Sequence, residues 1–155
     1  MLRLNRMTDY AILVLGVMAA RPGEILASAA IAQHTQLNQT TVAKVTKTLV
    51  AAGLVVSTRG IKGGYYLDRP VMNISIAEVI EAVEGPIALT ACVDGVEDPC
   101  SVRNGCFMGG NWNQVNTALR KALSEVSLAE LFNPESLFQV PTAALGTGNA
   151  EVLKS

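Results

Sequence analysis

The sequence is poor in the residues that carry most enzyme chemistry. Its 155 residues include one histidine, three cysteines and one tryptophan, and aromatic residues make up 5%. No phosphate-binding glycine loop is visible, and no pair of carboxylates stands beside a base, so an enzyme is not expected. His34 reads as a solvated or phosphate-proximal residue at a helix end rather than a catalytic base. The absence of any Cys-x2-Cys pair argues against zinc fingers and ribbons. Charged residues reach only 16% while half the chain is apolar, so the core must be built from Ala, Val, Leu and Ile. That mix excludes collagen-like, coiled-coil-only and wholly disordered chains. No internal repeat is visible.

Long apolar runs are also missing. The longest, Ala11–Ala20, has ten residues, about half of what a bilayer-spanning helix needs. Arg3 and Arg6 before it and small residues at its end imitate a signal peptide, but Asp9 and Tyr10 interrupt the approach. Export would also carry three cysteines, one necessarily unpaired, into an oxidising compartment. A cytoplasmic protein without a membrane partner is expected, with cysteines serving as ligands or reactive thiols.

What the chain does have is an uneven distribution of charge. The net charge is −1, yet residues 1–70 carry eight Lys/Arg against three Asp/Glu, a net +5, while residues 71–155 carry four against ten, a net −6. A front half of that kind is suited to something anionic.

The periodicity predicts a mostly α chain. Met7, Ala11, Val14, Leu15 and Met18 line one face of a first helix, Asn5–Ala20, capped by Asn5 or Thr8. Ile12, Leu13 and Val17 lie off that stripe, so the helix should be buried between two surfaces. Ser28 is the expected cap of a short second helix, Ala29–His34. A tight polar turn then leads to Asn38, the cap of a third helix running to about Ala52 and stopped by Gly53. In this third helix Val42, Val45, Leu49 and Ala52 share one face, and Thr40, Thr41, Lys44, Lys47 and Thr48 the other. Two strand-like runs, Leu54–Thr58 and Tyr65–Leu67, flank a loop with three glycines and the cations Arg59 and Lys62. Capping boxes at Ser75–Glu78 and Ser127–Glu130 open two further helices. Between them a long helix places Trp112, Val115, Leu119, Ala122 and Val126 at spacings of three and four, the seam of a homodimer.

Helix, helix, turn, helix and hairpin is the order of a winged helix-turn-helix with a small β-hairpin wing and a long dimerisation helix. Four regions follow: a DNA-binding domain over 1–84, a cysteine-bearing loop over 85–111, dimerisation and terminal helices over 112–133, and a loose tail over 134–155. The polar face of the third helix can enter a major groove of double-stranded DNA, and the basic hairpin tip can reach the adjacent minor groove. Ser28, Gln39, Thr40, Thr41, Lys44, Lys47, Arg59 and Lys62 are the candidate DNA contacts. The plainer alternative, lysines merely solvating a helix face, does not explain the basic half, the turn and the wing together.

Cys92, Cys100 and Cys106 are spaced Cys-x7-Cys-x5-Cys within 85–111, a loop too long to be a mere connector. Spacing alone leaves an iron–sulfur cluster, a zinc site and three unconnected thiols open. A cluster normally takes four protein ligands, so a fourth would have to come from an Asp, Glu or His elsewhere. A small iron–sulfur electron carrier or cluster-transfer protein is the rival reading, but a carrier has no use for a basic third helix or a basic wing.

The stretch Leu49–Leu67, LVAAGLVVSTRGIKGGYYL, resembles the wing signature of the Rrf-type winged-helix regulators, the group of IscR, NsrR and RsrR. The opening MLRLNRMTDYAILVL, the segment SIAEVIEAVEG, the three cysteines and SLAEL are similar to the same family, over about residues 1–132. The resemblance implies a homodimeric transcription factor whose loop cysteines hold an iron–sulfur cluster, 2Fe–2S or 4Fe–4S, that changes operator affinity. Cys92, Cys100 and Cys106 would then be the cluster ligands, Gln39, Thr40, Thr41 and Lys44 major-groove contacts, and Arg59 a wing contact. IscR-like members place a histidine three residues after the third cysteine, and here that position is Gly109. NsrR-like members instead use an Asp from the first helix of the other subunit, and Asp9 stands in the matching place. Its plainer role is that of a first-turn carboxylate favoured by the helix dipole, and Glu97, Asp98 and His34 are the alternatives for the fourth ligand. The expected function is a repressor sensing iron–sulfur or redox status and controlling SUF-type cluster-assembly genes. A nitric oxide-sensing NsrR-like repressor is the alternative.

Overall fold

A computed structural model of the chain describes residues 3–96, 100–108 and 110–133. The loose tail expected over 134–155 lies outside them, as do Glu97, Asp98 and Gly109. Six helices and one hairpin are found in the described residues: α1 Arg6–Ala19, α2 Ser28–Thr35, α3 Gln39–Ala51, β1 Val56–Thr58, β2 Gly64–Tyr66, α4 Ile76–Glu84, α5 Trp112–Glu125 and α6 Leu128–Phe132. Short 3-10 turns occupy Val71–Asn73 and Arg103–Gly105. None of these helices is long and apolar enough to cross a membrane.

The helix starts follow from side-chain chemistry. The Asn5 carboxamide accepts from Met7 N and that of Asn38 from Thr41 N, each satisfying an amide that its helix leaves open. Ser75 with Glu78 and Ser127 with Glu130 form reciprocal capping boxes. Helix α2 departs from expectation. Ser28 is its first helical residue rather than its cap, and Ala27, which has no side-chain acceptor, takes the cap position.

The core is one cluster. Ala11, Val14, Leu15 and Met18 of α1 meet Ile31, then Val42, Val45 and Leu49 of α3, then Val79 and Ile80 of α4, with Leu54, Val55, Ile74 and Leu128 filling between. The third-helix face is therefore as expected except at Ala52, which sits at the C-cap and is exposed. The first helix is not enclosed on all sides in the single chain: Ile12 and Val17 pack on the core, but Leu13 is 49% exposed. Val14 and Leu15 already fill the inward face, so Leu13 points outward.

The strands are shorter than the apolar runs suggested. The amides of Leu54 and Val55 turn back to the Leu49 carbonyl and close the end of α3, leaving nothing for a ladder. Pairing starts only at Val56, opposite Tyr66, and runs to Thr58 opposite Gly64. Leu26 adds a bridge to Tyr65 with both amide–carbonyl bonds at 2.9 Å, tying the segment before α2 to the wing root. A Cβ on Gly64 would run into the Leu26 carbonyl, so this close approach demands glycine.

The long helix also ends early. Helix α5 stops at Glu125, and Val126 is extended, with its side chain on the core and its carbonyl accepting from Ile76 N. Val126 therefore drops out of the expected seam. The face that α5 presents consists of Trp112, Val115, Leu119 and Ala122.

Candidate nucleic-acid interface and cysteine loop

Helices α2 and α3 are joined by a turn in which Gln36 takes a left-handed backbone (φ 59°) and its side-chain amide donates to the Gln33 carbonyl. The turn aims α3 outward: Gln39, Thr40, Lys44 and Lys47 are exposed and Thr41 half-buried, while the opposite face is core. Thr46 belongs to the inner half, its hydroxyl donating to the Val42 carbonyl at 2.8 Å. A cavity of about 340 Å³ lies between the start of α2 and the wing root, lined by Ser28, Ser57, Thr58, Arg59 and Gly64 among others. At the wing tip Gly63 N donates to Gly60 O at 2.9 Å, leaving Arg59, Ile61 and Lys62 exposed. The expected DNA contacts thus fall on the outward side of α3 and on the adjoining wing. His34 is exposed, with Nδ1 3.4 Å from an Arg21 guanidinium nitrogen and no element of catalytic machinery beside it among the described residues.

The loop after α4 is held by two asparagines one turn apart on α5, neither of which the sequence pattern singles out as a site. The buried Asn116 accepts from Leu89 N at 3.0 Å and donates to the Ile87 carbonyl at 2.8 Å. Asn113 accepts from Asp94 N at 3.0 Å and donates to the Asp94 carboxylate at 2.6 Å. Bidentate pairing of Arg120 with Glu81, at 2.6 and 3.1 Å, ties the same helix to α4. The amphipathic pattern of α5 could have flagged Asn116, a polar residue on the turn between Val115 and Leu119.

Cys92, Cys100 and Cys106 are all free and half-buried. Cys100 N donates to Ala91 O at 3.0 Å, which folds the loop so that Cys100 returns beside Cys92. The Cys92 thiol is pushed above its ordinary value by desolvation, then by a hydrogen bond and charge repulsion from Cys100, and weakly by Cys106; the Thr90 hydroxyl partly offsets this. The thiolate form of Cys92 is thus disfavoured beside its neighbours, a cost that a bound cation would offset. Among the described residues no three His, Cys, Asp or Glu side chains converge tightly enough for a single metal ion. Three free thiols on one loop are donors of the kind that hold an iron–sulfur cluster, with a further ligand still to come from elsewhere. Asp9 is exposed on α1; in the single chain it is not part of the cysteine group.

Exposed apolar side chains gather near this loop. Val102 and Phe107 are 64% and 91% exposed, and Val115 is 50% exposed on α5. Trp112 and Ala122 are also exposed, whereas Leu119 is half-buried and lines a groove of about 410 Å³ with Leu4, Ile80, Pro86, Ile87 and Leu123.

A second hydrogen-bonded link joins the loop's origin to α1. The Glu84 carboxylate, at the end of α4, accepts from Asn5 N at 2.7 Å and from the Thr8 hydroxyl at 2.5 Å, and Thr8 is fully buried. Gly85 follows with φ 86° and starts the cysteine loop. The sequence holds no local signal for this link, because its partners are 76 and 79 residues apart.

Comparison with known proteins identifies the family and agrees with the fold. The family profile Rrf2, described as iron-dependent transcriptional regulator, matches residues 4–134. The HTH-type transcriptional regulator NsrR of Oceanobacillus iheyensis is 32% identical over 135 residues, covering 86% of this chain and 92% of that protein. IscR of Yersinia pseudotuberculosis is 32% identical over 88 residues, 57% of this chain and about half (52%) of that protein. Among solved structures, CymR, the global cysteine regulator of B. subtilis, superposes with TM-score 0.64 at 25% identity, covering 86% of this chain and 98% of that one.

Proposed function

Because this chain belongs to the Rrf2 family of winged-helix transcriptional regulators, we propose that it is a homodimeric repressor whose affinity for operator DNA is set by an iron–sulfur cluster on Cys92, Cys100 and Cys106. Members of the family are transcriptional regulators, not enzymes. The observation that carries the cluster is that three free, half-buried thiols share one loop pinned by Asn113 and Asn116, with Cys100 folded back beside Cys92. Such a group supplies, when bound, an electron-accepting and chemically labile centre that thiols alone lack.

Two observations support a second copy of the chain in the working molecule. The exposed face Trp112–Val115–Ala122 begins six residues after Cys106, and Leu13 is left bare one turn after Asp9 on α1. Seating α5 of one protomer on α1 of the other would cover both faces. It would also bring Asp9 of the partner subunit to the cysteine loop as the fourth ligand. A carboxylate is a harder and more exchangeable ligand than a thiolate, which suits a centre that must be altered to signal.

In DNA binding the chain's own groups do the work. Gln39, Thr40, Thr41 and Lys44 are available to base edges and phosphates in the major groove, Ser28 and Lys47 to flanking phosphates, and Arg59 and Lys62 to the minor groove. The preferred target is the SUF-type cluster-assembly genes of a cytoplasm short of iron–sulfur clusters. A nitric oxide-sensing repressor is the second reading, favoured by the near full-length match to NsrR and by Asp9 in place of a histidine after Cys106.

The deciding experiment is purification without oxygen, followed by absorption and Mössbauer spectra of wild type, Asp9→Ala and Asp9→Cys. Iron and sulfide bound in wild type, lost or spectrally shifted in Asp9→Ala and retained in Asp9→Cys, is the expected result. A protein that never holds iron removes the cluster. Spectra identical across all three return Asp9 to a helix-capping role.

A further inference from the structure

We propose that Ile61 is an apolar wedge that the wing inserts into the minor groove of bound DNA, with Arg59 and Lys62 held on the flanking phosphates. This rests on the reading of the wing as a DNA contact and goes beyond it by assigning the tip a deforming, sequence-selecting role.

Ile61 is 107% exposed, so the side chain touches nothing in its own fold. Single exposed apolar residues are ordinary on protein surfaces. Three features set this one apart. It is at the tip of a projecting hairpin whose shape is built without it: Gly60 supplies the positive φ (109°), Gly63 closes the turn, and a Cβ at Gly63 would meet the Thr58 carbonyl. The tip's own conformation therefore does not need isoleucine, and water disfavours it. Cations stand on both sides at Arg59 and Lys62, so the tip is drawn to polyanions, and it rises from the wing root that lines a cavity with Ser28 at the start of α2, the helix packed against α3. The strongly exposed Val102, Phe107 and Val115 belong instead to the cysteine loop and α5, where a second copy would cover them.

A branched apolar side chain between two cations is what minor-groove binders use to part a base step. The cations neutralise phosphates on either wall while the wedge unstacks the pair, most cheaply at flexible pyrimidine–purine steps. Specificity would then arise at positions where no hydrogen bond is made.

The test uses a duplex selected from a random-sequence pool by the wild-type protein purified without oxygen, with 2-aminopurine placed in turn at each step beneath the wings. Wild type should raise the fluorescence at one step on each side, the signature of unstacking. Ile61→Ser should abolish that signal and weaken binding by roughly tenfold or more, the lower end of what burying an isoleucine returns. Its salt dependence should be unchanged, and so should its thermal midpoint. Ile61→Leu should keep the signal. Arg59→Ala and Lys62→Ala should instead flatten the log–log salt slope by about 0.9 for each phosphate no longer neutralised. Ile61→Ser binding with wild-type affinity and fluorescence, while the cation variants flatten the slope, overturns the wedge and leaves the wing on the DNA. If the cation variants leave the slope unchanged as well, the wing is not at the interface and both readings fall.

Discussion

Removing the Glu84 carboxylate should loosen α1 more than any exposed acid on the surface would. In Glu84→Ala two hydrogen bonds disappear at once, those from Asn5 N and from the Thr8 hydroxyl. Asn5 N is exposed and can turn to water, so its loss is worth about 1 kcal/mol. Thr8 is fully buried, and a hydroxyl stranded there adds about 1–3 kcal/mol for the unmet donor. The sum is about 2–4 kcal/mol, and with about 2–4 °C per kcal/mol for a chain of this size the thermal midpoint should fall by about 4–16 °C. Thr8→Val removes the donor along with the bond and should cost less, about 1 kcal/mol. Combined with Glu84→Ala it should add little, because the stranded hydroxyl is gone. Glu84→Gln keeps an acceptor for both donors and should stay within a few degrees of wild type. Circular dichroism melts and urea titrations at fixed protein concentration read all four, the concentration being fixed because dimerisation would contribute to apparent stability. A Glu84→Ala midpoint within about 1–2 °C of wild type, or Glu84→Gln as damaging as Glu84→Ala, would refute the reasoning.

Val115→Glu should give folded monomers with reduced operator affinity by sedimentation, since Val115 is half-exposed in the single chain; Leu119 is a poorer target because it also packs within its own subunit. Gly64→Ala should distort the wing root against the Leu26 carbonyl and cost about 2 kcal/mol or more in urea unfolding, whereas Gly105→Ala, which meets nothing nearby, should be nearly silent. Lys44→Ala should weaken DNA binding across all sequences and lower the salt slope by about 0.9 per phosphate, with no shift in the melt. The capping boxes give an acid limb. Hydrogen bonds from the Ser127 backbone and hydroxyl hold Glu130 below its ordinary value; burial raises Glu78, but bonds from Ser75 and Arg69 outweigh this and hold it low too. Because both folded values are depressed, their stabilisation is present above the unfolded value of about 4.3 and is lost as pH falls through the folded ones. The urea midpoint should therefore drop below about pH 4, and Glu130→Gln should flatten that limb.

The fold was legible where the chain decides locally. Asn38, Ser75 and Ser127 announce helix starts by side-chain chemistry acting over two or three residues, and each cap is made as expected. Apolar periodicity placed α1, α3 and α5 because a buried stripe must repeat with the helix. The expectations differ from the structure where another backbone partner competes for the same groups. Leu54 and Val55 read as strand because they are apolar and in part β-branched, yet their amides are taken by the end of α3. Val126 continues a perfect three-and-four spacing, yet the bridge between Ser75 and Ser127 pulls it out of the helix and onto the core. Ser28 looked like a cap because serine usually is one, but the Leu26–Tyr65 bridge positions the entry to α2 one residue sooner.

The site divides along the same line. The proposed DNA contacts on α3 are polar and turn outward from an apolar back, a placement that periodicity and charge signal directly. Cysteine spacing found the loop but not what shapes it: Asn113, Asn116 and Glu84 act across 19 to 79 residues, and a polar residue in an amphipathic helix carries no mark of its partner. Asp9 is harder still. Within one chain it is an exposed first-turn carboxylate, ordinary in every respect. Its proposed role as a ligand depends on a second copy, for which Leu13 is bare on one side and Trp112 and Val115 on the other. If the two faces meet, the same contact that buries them also completes the ligand set, so dimerisation and cluster binding are linked equilibria, each favouring the other. Val115→Glu should then lower cluster retention without touching a ligand, and Asp9→Ala should lower it without dissociating the dimer. The two defects would be separable only from the protein side, by sedimentation of the apo forms.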